Sequence, residues 1–205
     1  MKKFKVIPFD LKQVEVELKL FKVLLDSKVE LAERTDILSF FKKNRHLAAF
    51  MGELDSNIIK TGRYALEFPI LGNFKPDLVV GDYTRNNYLF IEFEDAKEKS
   101  IFQPKGRKNT LEWGTRLENG YSQIVDWFHI LDDTRQTHTI QTTFGGRIGK
   151  YNGLLVIGRD TFLDSTLKER LDWRSDKVMI NTKAITCITY DELYYVLIDK
   201  LNRYQ

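Results

Sequence analysis

A chain of 205 residues, 42% of them apolar and with a formal net charge of +3, is long enough for one domain with a sizeable core. Its charge permits a polyanionic partner without demanding one. A single cysteine, Cys187, excludes a disulfide framework, three scattered histidines (His46, His129, His138) make no zinc pattern, and no apolar run is long enough to span a membrane or serve as a signal segment, so a cytoplasmic protein is expected.

In chain order, residues 4–9 predict a short strand, which Pro8 confines to an edge. Residues 11–25 carry alternating Val14, Val16, Leu18 and Leu20 followed by Phe21, Val23, Leu24 and Leu25, and strand and helix compete there. Residues 28–44 predict a helix with Leu31, Ile37, Leu38, Phe40 and Phe41 as its apolar stripe. Glu33 stands at the edge of that stripe, where it either enters a site or pairs with a neighbouring lysine or solvent. A short helix or loop over 47–60 and a strand over 63–71 follow.

Two short, mainly apolar stretches, Lys75–Asp82 and Tyr88–Asp95, flank the turn residues Asn86-Asn87 and predict antiparallel neighbours. On the second strand Glu92 and Glu94 share a face, roughly 7 Å apart, and Asp77 at the start of the first stands opposite them. Carboxylates converging among Val, Leu, Ile and Phe are costly unless a cation neutralises them, and a divalent metal is the obvious one. The competing reading is a half-buried strand with Glu92 and Glu94 on its solvent face.

The connector 95–109 is polar and basic, with Lys97, Lys99, Lys105, Arg107 and Lys108; beside an acidic cluster it suits phosphate contacts, and by itself it also reads as a solvated loop. A long helix over 111–131 shows Leu117, Tyr121, Ile124, Phe128 and Leu131 at spacings of four, three, four and three, with Gln123 beside the stripe. Residues 132–150 form a polar excursion ending in Gly145-Gly146-Arg147-Ile148-Gly149-Lys150; the spacing fails as a Walker loop, while Arg147 and Lys150 remain candidate phosphate contacts. Residues 153–158 predict a central buried strand, 161–173 a helix, 178–180 and 185–189 short strands, and Tyr190 opens a final helix. The fold class that follows is α/β, a mixed central sheet flanked by helices.

The pattern Pro76-Asp77…Glu92-Phe93-Glu94 resembles the PD-(D/E)XK nuclease signature, departing from it in carrying Glu94 where lysine is usual. With Phe90-Ile91-Glu92-Phe93-Glu94-Asp95, Ile101-Phe102, Gly106, Gly120-Tyr121-Ser122-Gln123-Ile124-Val125-Asp126-Trp127 and Ile188-Thr189-Tyr190-Asp191-Glu192-Leu193, the chain resembles the Shedu antiphage nuclease domain over residues 28–200. The resemblance implies a restriction-endonuclease-like core and Mg²⁺-dependent DNA cleavage, with Mn²⁺ as a substitute, in defence against phage. It implies Asp77, Glu92 and Glu94 as the catalytic set, Asp77 and Glu92 holding metal, and Gln123 and Glu33 in support. DNA would meet Lys97, Lys105, Arg107, Lys108, Arg147 and Lys150. The alternative is a nuclease-like nucleic-acid-binding scaffold without activity. Residues 1–27 are expected to be a short N-terminal extension and 28–205 the domain, which leaves sensing intrinsic or to a separate regulatory partner. Homo-oligomerisation is also expected.

Overall fold

The computed structural model describes residues 4–7, 10–72, 74–82, 84–107 and 110–204. Seven strands form one mixed sheet: β1 (Lys5–Val6), β2 (Arg63–Leu66), β3 (Leu78–Gly81), β4 (Tyr88–Phe93), β7 (Tyr151–Val156), β8 (Met179–Ile180) and β9 (Lys183–Ile188), in the order β1-β2-β3-β4-β7-β9-β8. A separate hairpin pairs β5 (Phe102–Gln103) with β6 (Glu112–Trp113). β1 to β4 are antiparallel neighbours, β4 runs parallel to β7 and β7 to β9, and β8 closes the far edge antiparallel. Among the described residues the α-helices are α1 (Leu11–Ser27), α2 (Ser39–Lys43), α3 (Arg45–Phe50), α4 (Thr115–Thr134), α5 (His138–Phe144), α6 (Ser165–Lys177) and α7 (Tyr190–Asn202). This is the α/β architecture expected, consistent with a restriction-endonuclease-like core. Among the described residues no helix is long and apolar enough to cross a membrane.

The sheet is covered on both faces. Leu78, Val80, Leu89, Ile91, Phe93 and Leu154 pack with Phe21 of α1, Phe41 of α2, Phe50 of α3 and Leu193 of α7. Val79, Tyr88, Phe90 and Leu155 pack with Ile124 and Phe128 of α4, Phe144 of α5 and Leu171 of α6. All six residues of β4 are buried, so the solvent-face reading of Glu92 fails: its side of the strand lies under α4.

Several elements differ from the sequence reading. The contest over 11–25 goes to the helix, because Asp10 accepts from the N–H groups of Lys12 and Gln13 and Val14, Leu18, Phe21 and Leu25 recur at helical spacing. Val16, Leu20 and Val23 point outward, which is what mimicked alternation. The helix expected over 28–44 is broken: Leu31 exchanges both backbone hydrogen bonds with Ala96, and a π-helical turn, Glu33–Leu38, precedes α2. The Ala32 carbonyl there accepts from both Asp36 and Ile37, while the Asp36 carboxylate takes the Ala32 N–H at 2.9 Å. The strand over 63–71 stops at Leu66, where Glu67 turns to φ 48°. The helix expected from 111 starts at Thr115, because Glu112 and Trp113 belong to β6. Of the strand expected over 4–9, Pro8 and Phe9 lie outside the described residues. The expected boundary after residue 27 falls at the end of α1, which itself packs into the core through Val14, Leu18, Phe21 and Leu25.

Candidate active site

Asp77 sits one residue before β3, Glu92 is the fifth residue of β4, and Glu94 follows its end. The antiparallel register sets Leu78 against Ile91, which carries Asp77 opposite Glu92, and the N–H of the next residue, Phe93, donates to Asp77 Oδ2 at 3.0 Å. Glu92, 7% exposed, lies close to the Asp77 carboxyl, whose charge raises it, and to the Gln123 side chain, which favours its charged form. Its Oε2 is buried with no hydrogen-bond partner among the described residues.

Glu94 is held from three sides. Its N–H donates to the Val156 carbonyl, its own carbonyl accepts from the Tyr190 hydroxyl at 2.6 Å, and its Oε2 lies 3.3 Å from a guanidinium nitrogen of Arg116. Gly120 lets α4 come this near: a Cβ there would stand 2.7 Å from Leu155 Cδ1 and 3.0 Å from Glu94 Cγ. Glu33 opens the π-helical turn and puts its carboxylate 3.6 Å from the same Arg116 nitrogen.

The five residues singled out as catalytic or supporting therefore meet at one open cleft of about 580 Å³, together with Arg34, Lys42, Glu67, Lys75, Arg116 and Asn119. Arg116 and Asn119 were missed. Their signal is a second stripe on α4, Arg116, Asn119 and Gln123 at spacings of three and four, running beside the apolar one.

Burial dominates the electrostatics. It pushes the Asp77 carboxyl up to about 7, reinforced by Glu33 and Glu67 and opposed by the Phe93 N–H. It pushes Glu92 well above the ordinary carboxylate range, with the charges of Asp77, Glu94 and Glu33 acting in the same direction. It pushes Glu94 up to about 7 even though Arg116 draws it back. Without an added cation, the cluster holds protons below neutral pH, and Asp77 and Glu94 shed theirs as pH rises through about 7.

The structure brings together the acidic residues but not all the basic ones. Lys97 pairs with Asp95 at 3.2 Å and lines a neighbouring hollow with Ala32, Thr35 and Arg116. Lys105 pairs with Glu112 on the β5–β6 hairpin at 2.9 Å, and Arg107 is exposed. Lys108 lies outside the described residues. Arg147 is exposed on the segment after α5, and Lys150 lines a different cavity with Asp132, Arg135 and Lys183. Lys150 precedes β7, whose Leu155 is level with Glu92, so it stands roughly 16 Å along the strand from the carboxylates.

Among the described residues no three His, Cys, Asp or Glu side chains are gathered into a ready-made metal cage. The donor set still fits Mg²⁺, which takes one or two carboxylates and completes its shell with water and substrate phosphate. Asp77 with the unpartnered Glu92 Oε2 is such a set, open to the cleft.

Comparison with protein families gives a match over residues 31–194 to the family described as Shedu protein SduA, C-terminal. No curated protein matches the chain.

Proposed function

The chain belongs to the Shedu SduA C-terminal family, which suggests a place in antiphage defence, and from that premise and the chemistry of the cleft we propose that it is a Mg²⁺-dependent DNA endonuclease of the PD-(D/E)XK type. The observation that carries the reading is the buried, unpartnered Oε2 of Glu92 beside Asp77, at the floor of a cleft open enough to admit a phosphodiester. A buried acceptor without a donor is costly, and a divalent cation removes the cost.

Asp77 and Glu92 would hold the metal, with the Gln123 side chain orienting the Glu92 carboxylate. When bound, Mg²⁺ stabilises negative charge on a phosphate oxygen and acidifies water. Glu94, with its carboxyl near 7, accepts the proton from the attacking water. The water oxygen bonds to phosphorus, the bond from phosphorus to the leaving sugar oxygen breaks, and that oxygen takes a proton from solvent. Gly120 and the Tyr190 hydroxyl keep Glu94 in place during the transfer.

A second reading, a DNA-binding scaffold without chemistry, draws on the lack of a three-carboxylate cage. One experiment separates them. Purified protein is incubated with linear, circular and single-stranded DNA in Mg²⁺, Mn²⁺ or EDTA, beside Asp77→Ala and Glu92→Ala. The nuclease reading expects metal-dependent cleavage that both substitutions abolish. DNA left intact by the wild type in either metal, with no metal binding by calorimetry, establishes the scaffold.

A further inference from the structure

We propose that Arg116 is the phosphate-contacting cation of the cleft, held before DNA arrives by Glu94, Glu33 and Asp95 and transferred to the scissile phosphate when it enters. This rests on the nuclease reading and adds to it the group that receives the substrate's charge.

Two buried or half-buried arginines show what a fixed structural role looks like here. Arg159 is 8% exposed, makes two bonds of 2.8 and 2.9 Å to Asp191, and gives its third nitrogen to the Lys28 carbonyl. Arg174 grips Glu118 through both terminal nitrogens, at 2.6 and 3.1 Å, and lies over the rings of Trp113 and Tyr121. These are fixed structural forks. Arg116 is unlike them. Its contacts to Glu94, Glu33 and Asp95 measure 3.3, 3.6 and 3.7 Å, spread over three carboxylates, and its side chain is 52% exposed. Charge-assisted bonds in the fixed geometry run about 2.7–2.9 Å. Arg116 is thus held by the field of the cluster rather than by a fork, and a competing anion can take it over.

Its place suits the task. It is the second residue of α4, which has no side-chain cap, and it lines both the cleft and the adjoining hollow that holds Lys97. Lys42 and Lys75 also line the cleft, but both engage Glu67. Arg34 lines it from an exposed position on the π-helical turn, whereas Arg116 is the cation in contact with Glu94. Lys97 engages Asp95 and lines the hollow but not the cleft. A divalent ion would balance Asp77 and Glu92, and Glu33, Glu94 and an incoming phosphodiester are then the negative groups around Arg116. Hydrolysis adds further negative charge at the phosphate, and a guanidinium presenting two N–H groups to its oxygens is well matched to it. Moving Arg116 to the phosphate also releases Glu94 to take the proton from water.

The test uses Arg116→Ala and Arg116→Lys in the full chain. Single-turnover cleavage in Mg²⁺ is measured together with DNA affinity against salt in EDTA and the melting-temperature rise on adding Mg²⁺. Cleavage by Arg116→Ala should fall about 10²–10³-fold. Its salt slope should flatten by about 0.9, one phosphate contact, and the Mg²⁺-dependent rise should remain. Arg116→Lys should restore the slope and only part of the rate, since it keeps the charge and loses the fork. An unchanged salt slope overturns the proposal. So does loss of the Mg²⁺-dependent rise in Arg116→Ala, which would make Arg116 a support for the carboxylates. If the wild type itself does not cleave, the nuclease reading fails separately, and the slope alone decides whether Arg116 meets phosphate.

Discussion

Two carboxylate sites at opposite ends of the central strands show how differently this fold treats an acid. Asp132, near the end of α4, has both oxygens answered: Tyr151 donates its hydroxyl at 2.6 Å, Asn181 its amide at 3.0 Å and Lys183 its ammonium at 2.9 Å. Burial raises that carboxyl, but the three donors outweigh it and hold it down at about 2. In the cleft Glu92 has the Gln123 side chain and a second carboxyl near it, and its buried Oε2 meets no donor among the described residues. Burial is present at both sites; donor supply differs. The saturated carboxylate binds β7 and β9 to α4, whereas the unsaturated one keeps valence for something that is not protein.

The largest break in that comparison is a charge-removing substitution at each site. Glu92→Gln should abolish metal-dependent cleavage, by at least about 10²-fold. Without metal its melting temperature should be no lower than that of the wild type, because a strained buried acid has gone. Asp132→Asn should do the reverse. It leaves Lys183, whose side chain is 12% exposed, without its charge partner. A lost bond to a charged group costs about 2 kcal/mol, or roughly 6 °C for a chain of this size. Cleavage should persist at temperatures well below melting. Thermal unfolding and a gel-based cleavage assay read both arms, and equal destabilisation by the two substitutions would show that the cleft acids are ordinary structural groups.

Next in size is the pH dependence, where the two sites act with opposite sign. Asp132 is lower in the folded chain, at about 2, than its ordinary value of ~3.9. Its stabilisation of about 2 kcal/mol is therefore present above pH ~4 and lost as pH falls through 2. Asp77 and Glu94 are higher when folded, at about 7. The native state then binds more protons than the unfolded one, and the stability they contribute, present below pH ~4, is lost as pH rises through 7. In EDTA the melting temperature should decline on both limbs. Mg²⁺ should lift the alkaline limb, where protons no longer compete for the carboxylates, and leave the acid limb alone. Asp132→Asn should flatten the acid limb only.

Much of the cleft was legible from the sequence because strand periodicity is short and rigid. Asp77, Glu92 and Glu94 follow from two apolar runs joined by a turn, and the register then brings them together. Gln123 followed from the stripe of α4. Arg116 shares a helical stripe with Asn119 and Gln123, but that stripe looks like any exposed polar face until the helix is docked on Glu94. The hairpin β5–β6 was hidden because each strand has two residues, and α5 because only Ile140 and Phe144 of its seven are buried. The break within 28–44 depends on Leu31 pairing with Ala96, 65 positions along the chain, a contact that local pattern does not carry. The basic loops read as charge without a place: Lys150 stands at the opposite strand end from the cleft carboxylates.

The finest distinction between the two sites is what one neutral donor does at each. Tyr151→Phe removes the hydroxyl from Asp132 and keeps the ring that packs on Phe90 and Phe128. Asn181 and Lys183 still answer the carboxylate, so the cost should be about 1–2 kcal/mol. The Asp132 carboxyl should rise toward its ordinary value, readable by NMR titration, with cleavage untouched. Gln123→Ala removes the amide from Glu92, where no other donor waits. The fold should hardly notice, because Gln123 is exposed and the Glu92 carboxyl can stay protonated. Metal affinity should notice: losing the group that orients a ligating side chain typically weakens binding about 10–100-fold. Calorimetric Mg²⁺ titration of Gln123→Ala, beside the melting curve of Tyr151→Phe, tests both halves. If Gln123→Ala binds Mg²⁺ as the wild type does, the amide is only a neighbour of Glu92, and Asp77 alone must orient it. If Tyr151→Phe costs nothing, the low value of Asp132 comes from Lys183, and the site is a salt bridge with ornaments rather than a saturated carboxylate.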